Sequence, residues 1–159
     1  MLGFATALPN LRTASASIIQ ANLPIANGIL NPLTFYNYVR NRGPWDLKKQ
    51  GYSADFGNYH YGIVGAATGL FSPATLLREA GINQCTGPNN NPSQFGNPLD
   101  NGSRGDDFVD SHWIREGMRD YYSGMYGSPN FINPVLGSIN EAGSMAHAIS
   151  VYLTCLTCR

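Results

Sequence analysis

Tyr52–Leu70 reads YSADFGNYHYGIVGAATGL, an acid, an amide and a histidine followed by a run of small residues. Read as a helix, it sets Asp55, Asn58, Gly62, Gly65 and Gly69 at i, i+3, i+7, i+10 and i+14, on one side. Glycine in a helix interior costs up to about 1 kcal/mol, so three on one side imply that another backbone needs the space. His60 falls on a different face, near Ile63, Val64 and Ala67. The segment therefore has a crowded polar start and a body built for burial.

Outward from this segment, caps and stops predict further helices. A short one over Thr13–Ala21 is expected to stop near Pro24. Asn31-Pro32 is an N-cap followed by proline at N1, opening a helix over Pro32–Arg42 with Leu33, Tyr36 and Val39 on its apolar face and Gly43-Pro44 at its end. Ser72-Pro73 repeats that opening, and Gly81 is the expected stop of a helix over Pro73–Ala80, with Ile82 as a Schellman contact. Asp107-x-x-Asp110 resembles a capping arrangement for a helix over Phe108–Met125, with Ile114, Met118, Tyr121 and Met125 inward and Glu116 and Asp120 outside that stripe. A last helix over Ile139–Leu156 is expected to bury Ala142, Met145, Ile149 and Leu153, with His147 on its other side. No strand alternation and no repeat is visible. The expected fold is mainly α, one compact helical domain over 1–159 with long Gly/Asn/Pro-rich loops and little or no sheet. Residues 1–30 form an apolar segment packed on it. Residues 86–105, rich in Pro, Asn, Gly and Ser, form a flexible loop beside the site.

Composition narrows function. The chain is 43% hydrophobic, enough to fold. Only 13% of residues are charged, against about 25% in an average protein. The 10 basic and 10 acidic residues cancel, so the footprint of a general nucleic-acid binder is missing. No apolar run reaches the roughly 18 residues of a membrane span. The start lacks a basic n-region and does not read as a signal peptide. The three cysteines, Cys85, Cys155 and Cys158, are too few and odd in number for a disulfide framework. Whether they are thiols, one disulfide or ligands to a metal stays open. No Walker loop, dinucleotide fingerprint, HExxH or GxSxG is present.

The residues that carry chemistry fall in two clusters, Asp55, Asn58 and His60, then Arg104, Asp106, Asp107, Asp110 and His112. Asp55 with Asp106 or Asp107 offers the carboxyl pair of a glycosidase, which needs about 5–5.5 Å for retention or about 6.5–9.5 Å for inversion. His60, His112 and Arg104 offer the base, acid and cation of a metal-independent ribonuclease. Asp55, Asp106, Asp107 and Asp110 offer a carboxylate site for a Mg²⁺ nuclease. Each has a bland counterpart. Asp55, Asp107 and Asp110 also suit helix caps, His60 a core histidine, Arg104 a solvated loop, and Trp45 a packing anchor rather than a stacking platform.

Several pieces in order resemble the bacterial polymorphic toxin type 44 domain. They are Gly43-Pro44-Trp45-Asp46, Asp55-Phe56-Gly57-Asn58, Tyr61-Gly62, Gly65-Ala66-Ala67-Thr68-Gly69, Leu76-Leu77-Arg78 with Ala80-Gly81 and Gln84, and Gly105-Asp106-Asp107 with Asp110, Ile114 and Gly117. The resemblance runs from about Leu33 to Tyr122. It departs at Phe108, where proline is expected after the acidic pair. It implies a secreted antibacterial toxin domain at the tip of a larger delivery protein or secretion apparatus, delivered into a target bacterium and neutralised by a cognate immunity protein. With the neutral charge, it favours a hydrolase of peptidoglycan acting in the periplasm without a cofactor. A nuclease acting on nucleic acid in the target cytoplasm and a non-enzymatic membrane-perturbing or binding toxin are the alternatives. In the favoured reading Asp55, His60, Asp106 and Asp107 are catalytic. Asn58, Trp45, Arg104, Asp110 and His112 bind or orient the substrate.

Overall fold

The computed structural model describes residues 16–86, 97–99, 105–130 and 134–157, with side chains of the last helix described only over 137–150. The described residues form helices and contain no strand, as the sequence predicts. In chain order they are α1 (16–27), α2 (Pro32–Val39), a short 3-10 turn (Leu47–Gln50), α3 (Ala54–Ala67), α4 (Pro73–Thr86), α5 (Phe108–Tyr122) and α6 (Pro134–Thr157). The expected loop over 86–105 lies mostly outside the described residues, as do the first 15 residues.

The Tyr52–Leu70 segment is α3, and it is the centre of the core. Ser53 caps it by accepting from the Phe56 N–H at 3.1 Å. Asp55 sits in the first turn beside that cap. The glycine strip divides into three roles. Gly62 faces the Ile114 carbonyl of α5, and Gly117 of α5 faces the Tyr59 carbonyl of α3. Each lets the other helix's backbone approach, and among the described elements compared α3 pairs most extensively with α5. Gly65 faces Leu76 of α4. Gly69 is not part of the packing strip. It adopts φ +65° after the C-cap Thr68, a left-handed stop that glycine takes without strain.

Around α3 the apolar side chains pack as one cluster, including Ile19, Leu23, Phe35, Trp45, Phe56, Ile63, Leu76, Trp113, Ile114 and Met118. Five helices run differently from expectation. α1 continues through Pro24, because Ile19, Leu23 and Ala26 form one buried stripe. Burying two large aliphatic side chains at about 1.5–3 kcal/mol each offsets a proline cost of about 3 kcal/mol. α2 ends three residues early, at Val39, where Arg40 turns extended. Its buried residue is Phe35, while Leu33 and Tyr36 are exposed. α4 runs past Gly81 to Thr86, because Ile82 and Cys85 have core to face. Ile82 is therefore a helix-interior residue and not a Schellman contact. α5 ends at Tyr122, leaving Met125 exposed, and Asp120 is buried rather than outward. The carboxylate of Asp120 accepts from Tyr59 Oη at 2.6 Å.

α6 departs most. Ala142, Met145 and Ile149 are exposed, and the face turned inward carries Glu141, Ser144 and Ala148; Leu153 lies outside the described side chains. What draws that face in is polar. Arg78 of α4 is only 2% exposed and pairs with Glu141 at 2.7 Å. Glu141 also accepts from Ser72 at 2.8 Å and from Thr75. These partners hold its carboxyl down to about 2, against the opposing pull of burial. Replacing Glu141 with Ala leaves a buried guanidinium uncompensated. Breaking a fully buried pair costs about 3–5 kcal/mol. About a third of the Glu141 side chain sees water, so a loss nearer 2–3 kcal/mol is expected in urea unfolding. The sign with pH follows. A depressed carboxyl contributes stability above its unfolded pKa, and the contribution fades as pH falls from about 4.5 toward about 2. The Glu141→Ala variant lacks that loss.

Candidate active site

A cavity of about 460 Å³ opens between the 3-10 turn, α3, α4, the start of α5 and α6. Its wall includes Trp45, Lys48, Asn58, His60, Glu79, Asp106, Asp110 and His147. Gly105 turns the chain just ahead of the wall residue Asp106. At φ +83° it turns the chain against Cys85 and Pro98, and the Cys85 thiol donates to its carbonyl at 3.6 Å. That turn presents Asp106 just ahead of the Asp107 N-cap.

Asp106 is 4% exposed. Its Oδ1 accepts from the Asp107 N–H at 2.9 Å, and its Oδ2 is buried without a hydrogen-bond partner. Burial, and then the neighbouring Asp110 carboxylate, raise its pKa to about 7. It therefore holds a proton near neutral pH. Asp110, one turn on, is also pushed up by burial, while Lys48 opposes that shift from 3.6 Å. Lys48 reaches Asp110 by lying across Gly57, whose missing Cβ leaves room for the lysine stem. The Asn58 amide favours the charged form of Asp110, although its Nδ2 makes no bond of hydrogen-bond geometry. One cavity thus holds a carboxyl that titrates near neutral pH, a lysine-paired carboxyl and an unsatisfied amide.

The other predicted residues do not join this carboxyl cluster. Asp107 caps α5, accepting from the Val109 N–H at 2.7 Å, and is not part of the cavity wall. Asp55 and His112 are not part of it either. Arg104 lies outside the described residues. Trp45 is 6% exposed and packs edge-on against Phe35 and His60, so most of it is core. His60 is 1% exposed, and its Nε2 takes the Asn22 amide of α1 at 3.0 Å. Burial lowers its pKa to about 4, so it is neutral at physiological pH. Among the described residues no three His, Cys, Asp or Glu side chains come together as a metal-holding group. Asp55, Asp106, Asp107 and Asp110 do not form the carboxylate site read from the sequence.

Lys48, Glu79 and His147 are wall residues that sequence reasoning did not assign to the site. Lys48 carried no motif. Glu79 lay inside a helix whose length was underestimated, and His147 lay on a helix whose buried face was assigned by hydrophobicity alone.

A polar cavity with neighbouring carboxyls on a helical scaffold is the candidate functional site. Residues 49–123, from the end of the 3-10 turn through α5, match a family described as bacterial toxin 44. This segment is similar to that family, the one the sequence resemblance pointed to. It contains Asn58, Glu79, Asp106 and Asp110, whereas Trp45, Lys48 and His147 flank it. No curated protein and no solved structure matches the chain. Among the described residues no helix is long and apolar enough to cross a membrane.

Proposed function

We propose that this toxin domain is a hydrolase of the bacterial cell envelope that cleaves glycosidic bonds of peptidoglycan, with Asp106 as general acid. The observation that carries the reading is the buried Asp106 carboxyl, its Oδ2 unpartnered in a cavity shared with other carboxylates. Glycoside hydrolysis needs one carboxyl that keeps its proton near neutral pH and another that stays ionised. Burial raises both Asp106 and Asp110, and the Lys48 ammonium opposes the rise at Asp110. Asp106 donates its proton to the glycosidic oxygen as the bond breaks. Asn58 and the Lys48–Asp110 pair orient the sugar hydroxyls, and the exposed Tyr36 ring at the rim offers an apolar face to a sugar ring. The neutral chain suits an uncharged glycan better than a polyanion.

A nuclease with His60 as its base fits less well, because that imidazole is buried and already bonded to Asn22. The toxin family implies delivery into a target cell and a neutralising immunity protein. We place the site of action in the periplasm. Expression with a periplasmic export signal is expected to lyse cells, and expression without one is expected to be tolerated. Growth arrest by the cytoplasmic form alone would favour the nuclease instead. Leakage of dye from liposomes would favour a membrane-perturbing toxin.

Lys48 gives a further prediction. Lys48→Met keeps the stem over Gly57 but removes the charge that favours ionised Asp110. Asp106, whose pKa Lys48 also holds down, then titrates higher, and the basic limb of the rate profile, set by the general acid, is expected to move to higher pH. An unmoved limb would separate Lys48 from the chemistry.

A further inference from the structure

The proposed reaction needs an ionised carboxylate across the scissile bond from Asp106. Asp110 follows Asp106 by four residues, lies on the same wall, and is tied to Lys48. Glu79 comes from α4, on another wall of the same cavity. His147 of α6 faces it, with Nδ1 at 3.4 Å from Glu79 Oε2. The two carboxyls share a neighbour, Tyr61. Its hydroxyl donates to the Leu76 carbonyl at 3.1 Å, and its pKa is raised by burial first, then by the charges of Glu79 and Asp106. Glu79 and Asp106 stand on different elements around one cavity of about 460 Å³. That is the arrangement of carboxyls that leaves room for a water between them.

We propose that Glu79 is the general base of an inverting glycosidase, held in place by His147. This rests on the glycan-hydrolase reading above. Glu79 removes a proton from water, and the water oxygen bonds to the anomeric carbon. The bond to the leaving oxygen breaks, and that oxygen takes the proton of Asp106. Two sugar hydroxyls result, and solvent returns the proton from Glu79 to Asp106. Glu79 is the catalytic residue and His147 a positioning residue. His147 lies outside the family-matched segment, so α6, docked by the Arg78–Glu141 pair, completes the site.

The test uses the full chain and soluble peptidoglycan glycan strands freed of their peptides. Proton NMR early in the reaction is expected to show a product of inverted anomeric configuration. Glu79→Gln is expected to lower kcat by about 10²–10⁴-fold with KM little changed. Added azide is expected to restore cleavage with a glycosyl azide as product, because azide attacks without losing a proton. His147→Ala is expected to lower kcat less, again at constant KM, and His147→Asn to recover part of it. Both residues are partly exposed, so thermal midpoints are expected to hold. A retained configuration, or wild-type turnover by Glu79→Gln, would overturn the assignment while leaving the hydrolase reading intact. Absence of any cleavage by the wild-type chain would remove both.

Discussion

Asp106→Asn is expected to reduce glycan cleavage by about 10²–10⁴-fold, the usual contribution of a general acid, and to abolish lysis by the exported domain. The amide keeps the size of the carboxyl and can still accept from the Asp107 N–H. What it lacks is a proton acidic enough to give to a leaving oxygen. Stability is expected to move the other way. In the folded chain Asp106 titrates near 7, well above its value of about 4 when unfolded. Between those values the folded state binds more protons, so its contribution is present at low pH and lost as pH rises through about 7. His60 has the opposite slope. Its folded value near 4 lies below the unfolded 6.5, so its contribution is lost as pH falls from 6.5 to 4. The two slopes offset each other in the wild-type chain. Asp106→Asn removes one of them, so the variant is expected to gain stability steeply from pH 4 to 6.5. At pH 7 it is expected to be at least as stable as wild type. A variant that loses activity together with its fold would make Asp106 structural.

The second large effect is on the fold. Gly117→Ala is expected to destabilise the protein by about 1–3 kcal/mol or more, against a gain in helix propensity of up to about 1 kcal/mol. The added Cβ would run into the Tyr59 carbonyl of α3, a backbone atom inside a helix that has nowhere to move. Gly62→Ala presses on the Ile114 carbonyl in the same way and is expected to behave alike. Gly65→Ala is the contrast. There the Cβ would come within 2.6 Å of Leu76 Cδ2, the end of a flexible side chain that can rotate. A loss well below that of Gly117→Ala is expected in urea unfolding. Equal losses at all three positions would mean that the α3–α5 approach does not depend on backbone contact.

The glycine reasoning shows what was legible in the sequence. A helix with glycines at Gly62 and Gly65 needs close neighbours, and the structure supplies two, although Gly69 proves to be a stop. The caps at Asn31, Ser72 and Asp107 were legible because a side-chain acceptor three residues or fewer from an open N–H is a local interaction. Stops were not. Pro24 and Gly81 are weak local signals, and burial of Leu23, Ala26, Ile82 and Cys85 outweighs them. The orientation of α6 was illegible for a related reason. Its apolar residues suggested the buried face, but buried Arg78 selects the face bearing Glu141. Of the site, Asn58, Asp106 and Asp110 were visible as polar residues in two clusters that a tertiary contact brings together. Glu79 and His147 were not, because their pairing depends on the docking of α6 on α4, which no spacing encodes.

The central claim is that the cavity around Asp106 hydrolyses glycan at neutral pH. The most direct measurement is the release of new reducing ends from purified peptidoglycan by the full chain at pH 7. Reducing ends that accumulate with the wild-type chain and fall to background with Asp106→Asn are the predicted result. No reducing ends from an intact wild-type chain, with degradation of RNA or DNA under the same conditions, would contradict it.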